Sequence, residues 1–479
     1  MFNKEIYKAR RKALVEKLQK AGAEGVAVFL GNCEAAANYG GNSYPFRQDS
    51  TFLYFWGIDE PGFAASINLS NGRECIYGDD VDIDDIIWMG PQKPVAEKAE
   101  DAGVDHSAAR KDFGLAVEYA LQNDVPVHFL PSARYCNRME MAKLTGTPAD
   151  LVYKTAPYDD EDYVHSSEEL TKAVVSLRLV KEACEIALID KACDLGVQMH
   201  TIGRCGCVPG AFERDIAGAM DAFASTKGWG PSFPTILSQN GQILHGHDHS
   251  QIITGGRMLL IDAGLEIDEH YCSDFTRTLP CGGRFTTRQR EIYDIVEACN
   301  EKAFQMTRPG IAYREVHIEV CRLMLSMLKD LGLVNGDVDE MNAAGIAGMF
   351  MPHGLGHNMG LDVHDMEDLG EDYVGYEEDQ TRSAQLGMGS LRMARHLVPG
   401  NVITDEPGIY FVPALWDYFR KNALDKGFVN FDKLKAYGDF GGIRLEDDVL
   451  VTPDGCRRLG SGRLPIKAAD VEAAMKELK

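Results

Sequence analysis

Three acidic side chains stand where the surrounding sequence calls for apolar strands, and a fourth lies close to one of them in sequence. Asp262 ends the run MLLI, and Asp274 follows twelve residues later beyond a turn-rich, hairpin-like connection, so the two carboxylates can face each other. Glu406 interrupts VITDEPGIYF and Glu446 interrupts GGIRLEDDVLVT. A carboxylate on a strand that is otherwise buried is costly unless it is paired or bound to metal. Between these acids, MPHGLGHNMGLDVHD places His353, His357 and His364 within twelve residues, with Gly354, Gly356 and Gly360 allowing the backbone to close on a compact centre. One histidine alone is more often a satisfied core or surface residue; three together point to a metal or a catalytic centre.

Four carboxylates and one imidazole suit two adjacent hard or borderline divalent ions, with carboxylates bridging and offsetting their charge. Water on a catalytic metal has its pKa lowered from about 16 to about 7, which supplies a nucleophile near neutral pH. No GxSxG-type elbow offers a competing serine. His245 in QILHG, His353 and His364 can donate to a scissile carbonyl or its oxyanion, and Arg444 can orient a bridging carboxylate. His247 and His249 of HGHDHS read as loop residues. The chemistry this set suits is metal-assisted hydrolysis of an amide.

These residues need strands and turns to hold them. The first 25 or so residues carry Ile6, Leu14, Leu18 and Ala21 at near-helical spacing, with Gly22 as a stop, which predicts an opening amphipathic helix. Short apolar runs follow: GVAVFL, FLYFWGI, AASINL and VPVHFL, separated by polar and helical-looking stretches. This alternation predicts an α/β domain over residues 1–160. The acidic stretch Thr155 to Leu170 reads as connecting chain, and a linker is expected over 161–175. A long helical pattern from Leu177 through Leu195 opens a second domain, 176–479, in which strand-and-turn text around residues 235–280, 402–411 and 441–452 alternates with helices at 288–305 and 313–331.

Composition narrows the partners. With 49 basic against 73 acidic residues the chain of 479 carries a net charge of −24, which repels phosphate backbones and anionic lipid, so neither nucleic acid nor membrane is an expected partner. The charged N-terminus lacks the apolar core of a signal peptide, and no stretch reaches the roughly 18 apolar residues that span a bilayer. Twelve cysteines without CxxC spacing fit free thiols in a reducing compartment. A soluble, cytoplasmic protein is expected.

The motifs resemble the creatinase, aminopeptidase P and prolidase family, whose catalytic domain has the pita-bread fold. LIDAG and CSDFTRT carry Asp262 and Asp274, HGLGH carries His357, DEPGIY carries Glu406 and RLEDD carries Glu446, in the family's order of five metal ligands. YPFRQDSTFLYFWGIDEP is similar to the family's creatinase-type N-terminal domain. The resemblance therefore implies an α/β N-terminal domain plus an α+β pita-bread catalytic domain. It also implies two divalent ions per subunit, manganese first and zinc, cobalt or iron as alternatives. Asp262 and Asp274 would hold one ion and Asp274, His357, Glu406 and Glu446 the other, with Asp274 and Glu446 bridging. His245 and His364 would stabilise the oxyanion, and Glu406 would pass a proton to the departing proline nitrogen.

Within the family, GSLRMARHLVPGNVITDEPGIYF looks most like the prolidase branch, which cleaves Xaa-Pro dipeptides. Arg392 of LRMAR occupies the place of an arginine that binds the free carboxylate of the C-terminal proline, and His353 would contact the same substrate. Trp88 of IIWMGP resembles a tryptophan that reaches the partner subunit's site, which implies a homodimer. Aminopeptidase P, acting on longer Xaa-Pro peptides, and a catalytically silent peptide-binding member of the fold are the alternatives. Two departures stand out. The acidic stretch over 366–389 reads as a solvated loop, and Asp405 adds an acid beside the metals where relatives commonly carry an apolar residue.

Overall fold

Helix Lys4–Lys20 opens the chain, capped by the Asn3 side chain, which accepts the Glu5 N–H. The protein is described by a computed structural model covering residues 2–152 and 163–476. It divides into two compact units, Met1–Arg178 with Met366–Tyr373, and Leu179–Asp365 with Val374–Lys479.

The first unit is built on one mixed sheet. Its strands β1 (Val26–Leu30), β2 (Ala64–Asn68), β3 (Glu74–Tyr77), β4 (Ser107–Ala108) and β5 (Val127–His128) lie in the order β4-β3-β2-β1-β5. β1, β2 and β3 run antiparallel as neighbours, while β4 and β5 add to the two edges in parallel. Val28, Ala64 and Tyr77 pack with Phe113 and Val117 of helix Arg110–Gln122 in its core. The run FLYFW, which reads like its neighbouring apolar strands, is instead the helix Ser50–Trp56. Asp49 caps it by accepting the Phe52 N–H, and Gly57 ends it at φ 64°. Every residue between is buried, so no amphipathic period distinguishes helix from strand there.

The expected linker also differs. Residues 161 and 162 lie outside the described residues, and from Glu168 to Arg178 the chain is a helix burying Leu170, Ala173, Val174 and Val175 against Lys4–Lys20. Its acidic first turn, Glu168 and Glu169, suits a helix N-terminus and so disguised the element as a polar connection.

Among the described residues the second unit carries ten strands: β6 (Gly230–Pro231), β7 (Ile236–Ser238), β8 (Met258–Ala263), β9 (Leu265–Glu266), β10 (Phe275–Pro280), β11 (Val402–Asp405), β12 (Gly408–Tyr410), β13 (Gly442–Arg444), β14 (Asp447–Thr452) and β15 (Gly455–Arg458). They form the antiparallel sets β7-β8-β10, β11-β14-β15, β12-β13 and β6-β9. Helix Ala183–Gly206 packs on β8, β9 and β10, and helix Thr287–Met306 on β11, β12 and β13. All twelve cysteines are free. No helix among the described residues is long and apolar enough to cross a membrane.

Register sets the row of candidate ligands. Asp262 on β8 lies opposite Thr276 on β10, and Thr276 bridges in turn to Glu446. Asp274 precedes Thr276 by two residues and shares its face. The loop bearing His364 is tied from behind: Lys181 and Asp365 form an ion pair of 2.9 Å with side chains only 1% and 2% exposed, and the Asp365 N–H donates to the Asn358 carbonyl. Removing the ammonium leaves a buried carboxylate without it. Lys181→Met is therefore expected to cost about 3 kcal/mol in urea unfolding, and a loss below about 1 kcal/mol, as for an exposed pair, would contradict this role.

Candidate metal and substrate site

A cavity of about 420 Å³ opens in the second unit, and every ligand position read from the sequence lines it: Asp262, Asp274, His357, Glu406 and Glu446. Asp262 is the penultimate residue of β8, Asp274 immediately precedes β10, and the two glutamates fall at breaks between strands. Glu406 lies between β11 and β12 and Glu446 between β13 and β14, so the side chain turns off the sheet without displacing a core residue. Asp274, His357 and Glu446 bring one ligand atom each within 4.8 Å of one another. His357 Nε2 stands 3.4 Å from Asp274 Oδ2 and 3.8 Å from Glu406 Oε1. His357 Nδ1 lies 3.1 Å from the Asn358 carbonyl, an arrangement that puts the proton on Nδ1 and the lone pair of Nε2 toward the carboxylates.

The ligand oxygens are oriented by a polar frame. Arg444 donates to Asp262 Oδ2 at 2.5 Å, to the Thr276 hydroxyl at 3.1 Å and to the Tyr410 hydroxyl at 2.8 Å. The Thr276 hydroxyl in turn donates a hydrogen bond to Glu446 Oε2 at 2.6 Å. Asp448 fixes the backbone of Asp274 by accepting its N–H at 2.9 Å. Arg444 thus orients Asp262, while the Glu446 carboxylate is held through Thr276.

Without cations this wall is electrostatically frustrated. Burial, then the charges of Asp262, Asp448 and Glu406, push the Asp274 carboxyl well above the usual carboxylate range. Burial followed by Asp274, Glu406 and Asp262 does the same to Glu446, and burial raises Glu406 although His357 and Arg444 oppose it. Asp262 Oδ1 and Asp274 Oδ1 are buried without a hydrogen-bond partner. Unpartnered carboxylate oxygens beside an imidazole nitrogen are what a pair of divalent ions requires, so the residues fit the implied metals.

The remaining expected residues divide. His245, His353, His364, Arg392 and Arg444 all line the cavity, with the His364 ring 4.0 Å from that of His357. Burial and Arg444 lower the pKa of His245, and the same pair lowers His353 to about 3, so His353 is neutral at physiological pH. Both nitrogens of His353 are engaged, Nδ1 with the Gly354 carbonyl at 2.7 Å and Nε2 with the Tyr410 hydroxyl at 2.8 Å, so it offers its ring rather than a free donor. Trp88 belongs to the first unit, on the short helix Ile83–Met89, and is 85% exposed.

Two expectations are corrected here and one is extended. His247 lies in a loop, as read, and also lines the cavity. Asp405 does not: strand alternation turns it away from Glu406 into the core, where burial pushes its carboxyl well above the usual carboxylate range against the opposing charge of Arg458. The stretch over 366–389 is not simply solvated, because Met366, Leu369, Val374 and Tyr376 are buried. Sequence reasoning missed Thr276, Tyr410, Asp448 and the apolar wall of Phe233, Pro234, Ile236 and Leu244. Of these only Thr276 was foreshadowed, by sitting on the same strand face as Asp274.

Residues 187–453 match metallopeptidase family M24, and residues 7–127 match the aminopeptidase P N-terminal domain. Xaa-Pro aminopeptidase of Escherichia coli K12 is 31% identical over 99% of this chain and 98% of its own length. Human Xaa-Pro dipeptidase is 28% identical over 98% and 93%. Solved structures of E. coli aminopeptidase P, one with the inhibitor Pro-Leu and one zinc-substituted with product, each superpose with a TM-score of 0.77 at 28% identity, covering 100% of this chain and 99% of theirs.

The raised carboxyl groups make metal-free protein pH-sensitive in a defined direction. A folded-state pKa above the unfolded one means the folded protein binds more protons, so stability declines as pH rises from about 4 through the raised values. The urea midpoint of chelated protein is expected to fall between acid and neutral pH. Added manganese should raise it at neutral pH and flatten the slope; a midpoint indifferent to both would contradict a cation site.

Proposed function

The chain belongs to metallopeptidase family M24, and on that premise we propose that it is an Xaa-Pro dipeptidase, releasing C-terminal proline with two manganese ions. It is a metallopeptidase with a pita-bread catalytic domain behind an aminopeptidase P-type N-terminal domain, of a family whose relatives are Xaa-Pro aminopeptidases and dipeptidases. The observation that carries the narrower reading is Arg392, whose side chain lines the same cavity as the carboxylate cluster. A guanidinium there pairs with the free carboxylate of a substrate that ends at proline. A longer peptide would present an uncharged amide to it.

Asp262, Asp274, His357, Glu406 and Glu446 would hold the ions. When bound, the ions supply Lewis acidity that polarises the scissile carbonyl and makes water nucleophilic near neutral pH. The chain's own groups do the rest. His245 and His364 donate to the carbonyl oxygen as it gains charge. Glu406 carries a proton to the proline nitrogen, which as a tertiary amide nitrogen has no hydrogen of its own. Phe233, Pro234, Ile236 and Leu244, with the ring of His353, form a wall suited to a pyrrolidine ring and to excluding water.

Trp88, with Ile83, Ile87 and Met89, presents an apolar surface at 60–85% exposure on a helix that buries none of its residues. A second copy of the chain is the partner we assign to it. Trp88→Glu is expected to convert a dimer to a monomer in sedimentation, and an unchanged sedimentation coefficient would remove Trp88 from the interface.

Manganese-loaded protein should cleave Xaa-Pro dipeptides in preference to Xaa-Pro-Xaa tripeptides, and chelation should abolish both. Arg392→Ala should lower kcat/KM for the dipeptide by a factor between tens and thousands, corresponding to about 2–5 kcal/mol for a shielded charge pair. Preferential tripeptide cleavage would make the protein an aminopeptidase P.

A further inference from the structure

The side chain of Arg392 can select a carboxylate only if its backbone is held still, and the segment beginning at Val374 is built around that backbone. The Gly375 carbonyl accepts two N–H groups from beyond the arginine, Ala394 at 2.7 Å and Arg395 at 3.0 Å. A side-chain carbon at Gly375 would lie 1.9 Å from the Arg392 carbonyl oxygen, so the two chains touch at a separation only glycine permits. The next residue, Tyr376, donates its hydroxyl to the Leu391 carbonyl at 2.7 Å, just before the arginine. Its ring forms a small apolar cluster with Leu391 and Ala394 and is itself 7% exposed. Arg382 lies over the Tyr376 ring with its guanidinium carbon 5.0 Å from the centroid. From the other side Gly354, next to His353, presses on Leu391, where an added side-chain carbon would lie 2.7 Å from the Leu391 Cα.

We propose that Gly375 and Tyr376 are specificity-positioning residues, which clamp residues 391–395 so that Arg392 meets a free C-terminal carboxylate at a fixed distance from the metal ligands. This rests on the dipeptidase reading above. Neither residue touches substrate. Both act through the arginine, and the acidic stretch that holds them is thereby a substrate-length gauge rather than a solvent-filled insertion. Misplacing an anchoring group by about 1 Å is enough to cost on the order of a hundredfold in rate, and a gauge that loosens loses selectivity before it loses the ability to hydrolyse.

The test compares kcat/KM for Ala-Pro with that for its C-terminal amide, using manganese-loaded wild type, Arg392→Ala, Gly375→Ala and Tyr376→Phe, each checked for folding by its urea midpoint. Wild type should favour the free acid. Gly375→Ala should lower the acid-to-amide ratio by about tenfold or more and Tyr376→Phe by about threefold to tenfold, both moving toward the ratio of Arg392→Ala and both through KM for the acid. Retention of the wild-type ratio in folded variants would overturn the clamp while leaving the dipeptidase reading intact, as would a parallel loss on both substrates. A wild-type ratio near one would remove the carboxylate anchor itself and the clamp with it. Tyr376→Phe, which deletes a single oxygen, keeps the question answerable if Gly375→Ala does not fold.

Discussion

Like charges crowded into one cavity wall are the constraint around which the second unit is arranged. Asp262, Asp274 and Glu446 are buried and Glu406 is half-buried, so their mutual repulsion is poorly screened. Arg444 is the fixed cation that makes the wall tolerable before any ion arrives, and it reaches Asp262, Thr276 and Tyr410 at once. The three consecutive acids of LEDD show how finely this is divided. Glu446 faces the cavity, Asp447 is paired with Arg277 at 2.6 Å and Arg458 at 3.0 Å, and Asp448 takes the Asp274 N–H and the Cys193 thiol. Only one of three adjacent charges is left for chemistry.

Much of this was legible because acids are conspicuous on strands. Asp262, Glu406 and Glu446 each end or interrupt an apolar run; Asp262 lies one residue inside the end of β8, and the two glutamates fall at breaks between strands. The helices Thr287–Met306 and Tyr313–Asp330 also fall within a residue or two of their apolar period. What failed did so for a common reason, the absence of contrast. Ser50–Trp56 is buried all round, so its sequence carries no period. Thr276 and Tyr410 look like ordinary strand residues, and only register reveals that they meet Arg444.

The charged stretch between His364 and Arg392 misled for the opposite reason. Its Asp and Glu content suggests solvent, yet Leu369, Val374 and Tyr376 supply enough apolar surface to seat it. Asp405 shows the complementary error: nearness in sequence to Glu406 suggested nearness to the metals, and a period of two sends neighbours to opposite faces. Residue type locates chemistry well where a group is expensive to bury, and poorly where its role depends on what lies across the strand.

The unit that opens the chain is completed by Met366–Tyr373, whose Leu369 shares a crevice with Val28, Phe29 and Met141. A nascent chain leaves the ribosome N-terminus first, so that crevice stays without its last side chain until most of the catalytic portion has been synthesised. Domain-by-domain maturation during translation is therefore interrupted here: the leading unit waits for a segment encoded just after His364, which ties the completion of one to the emergence of the other.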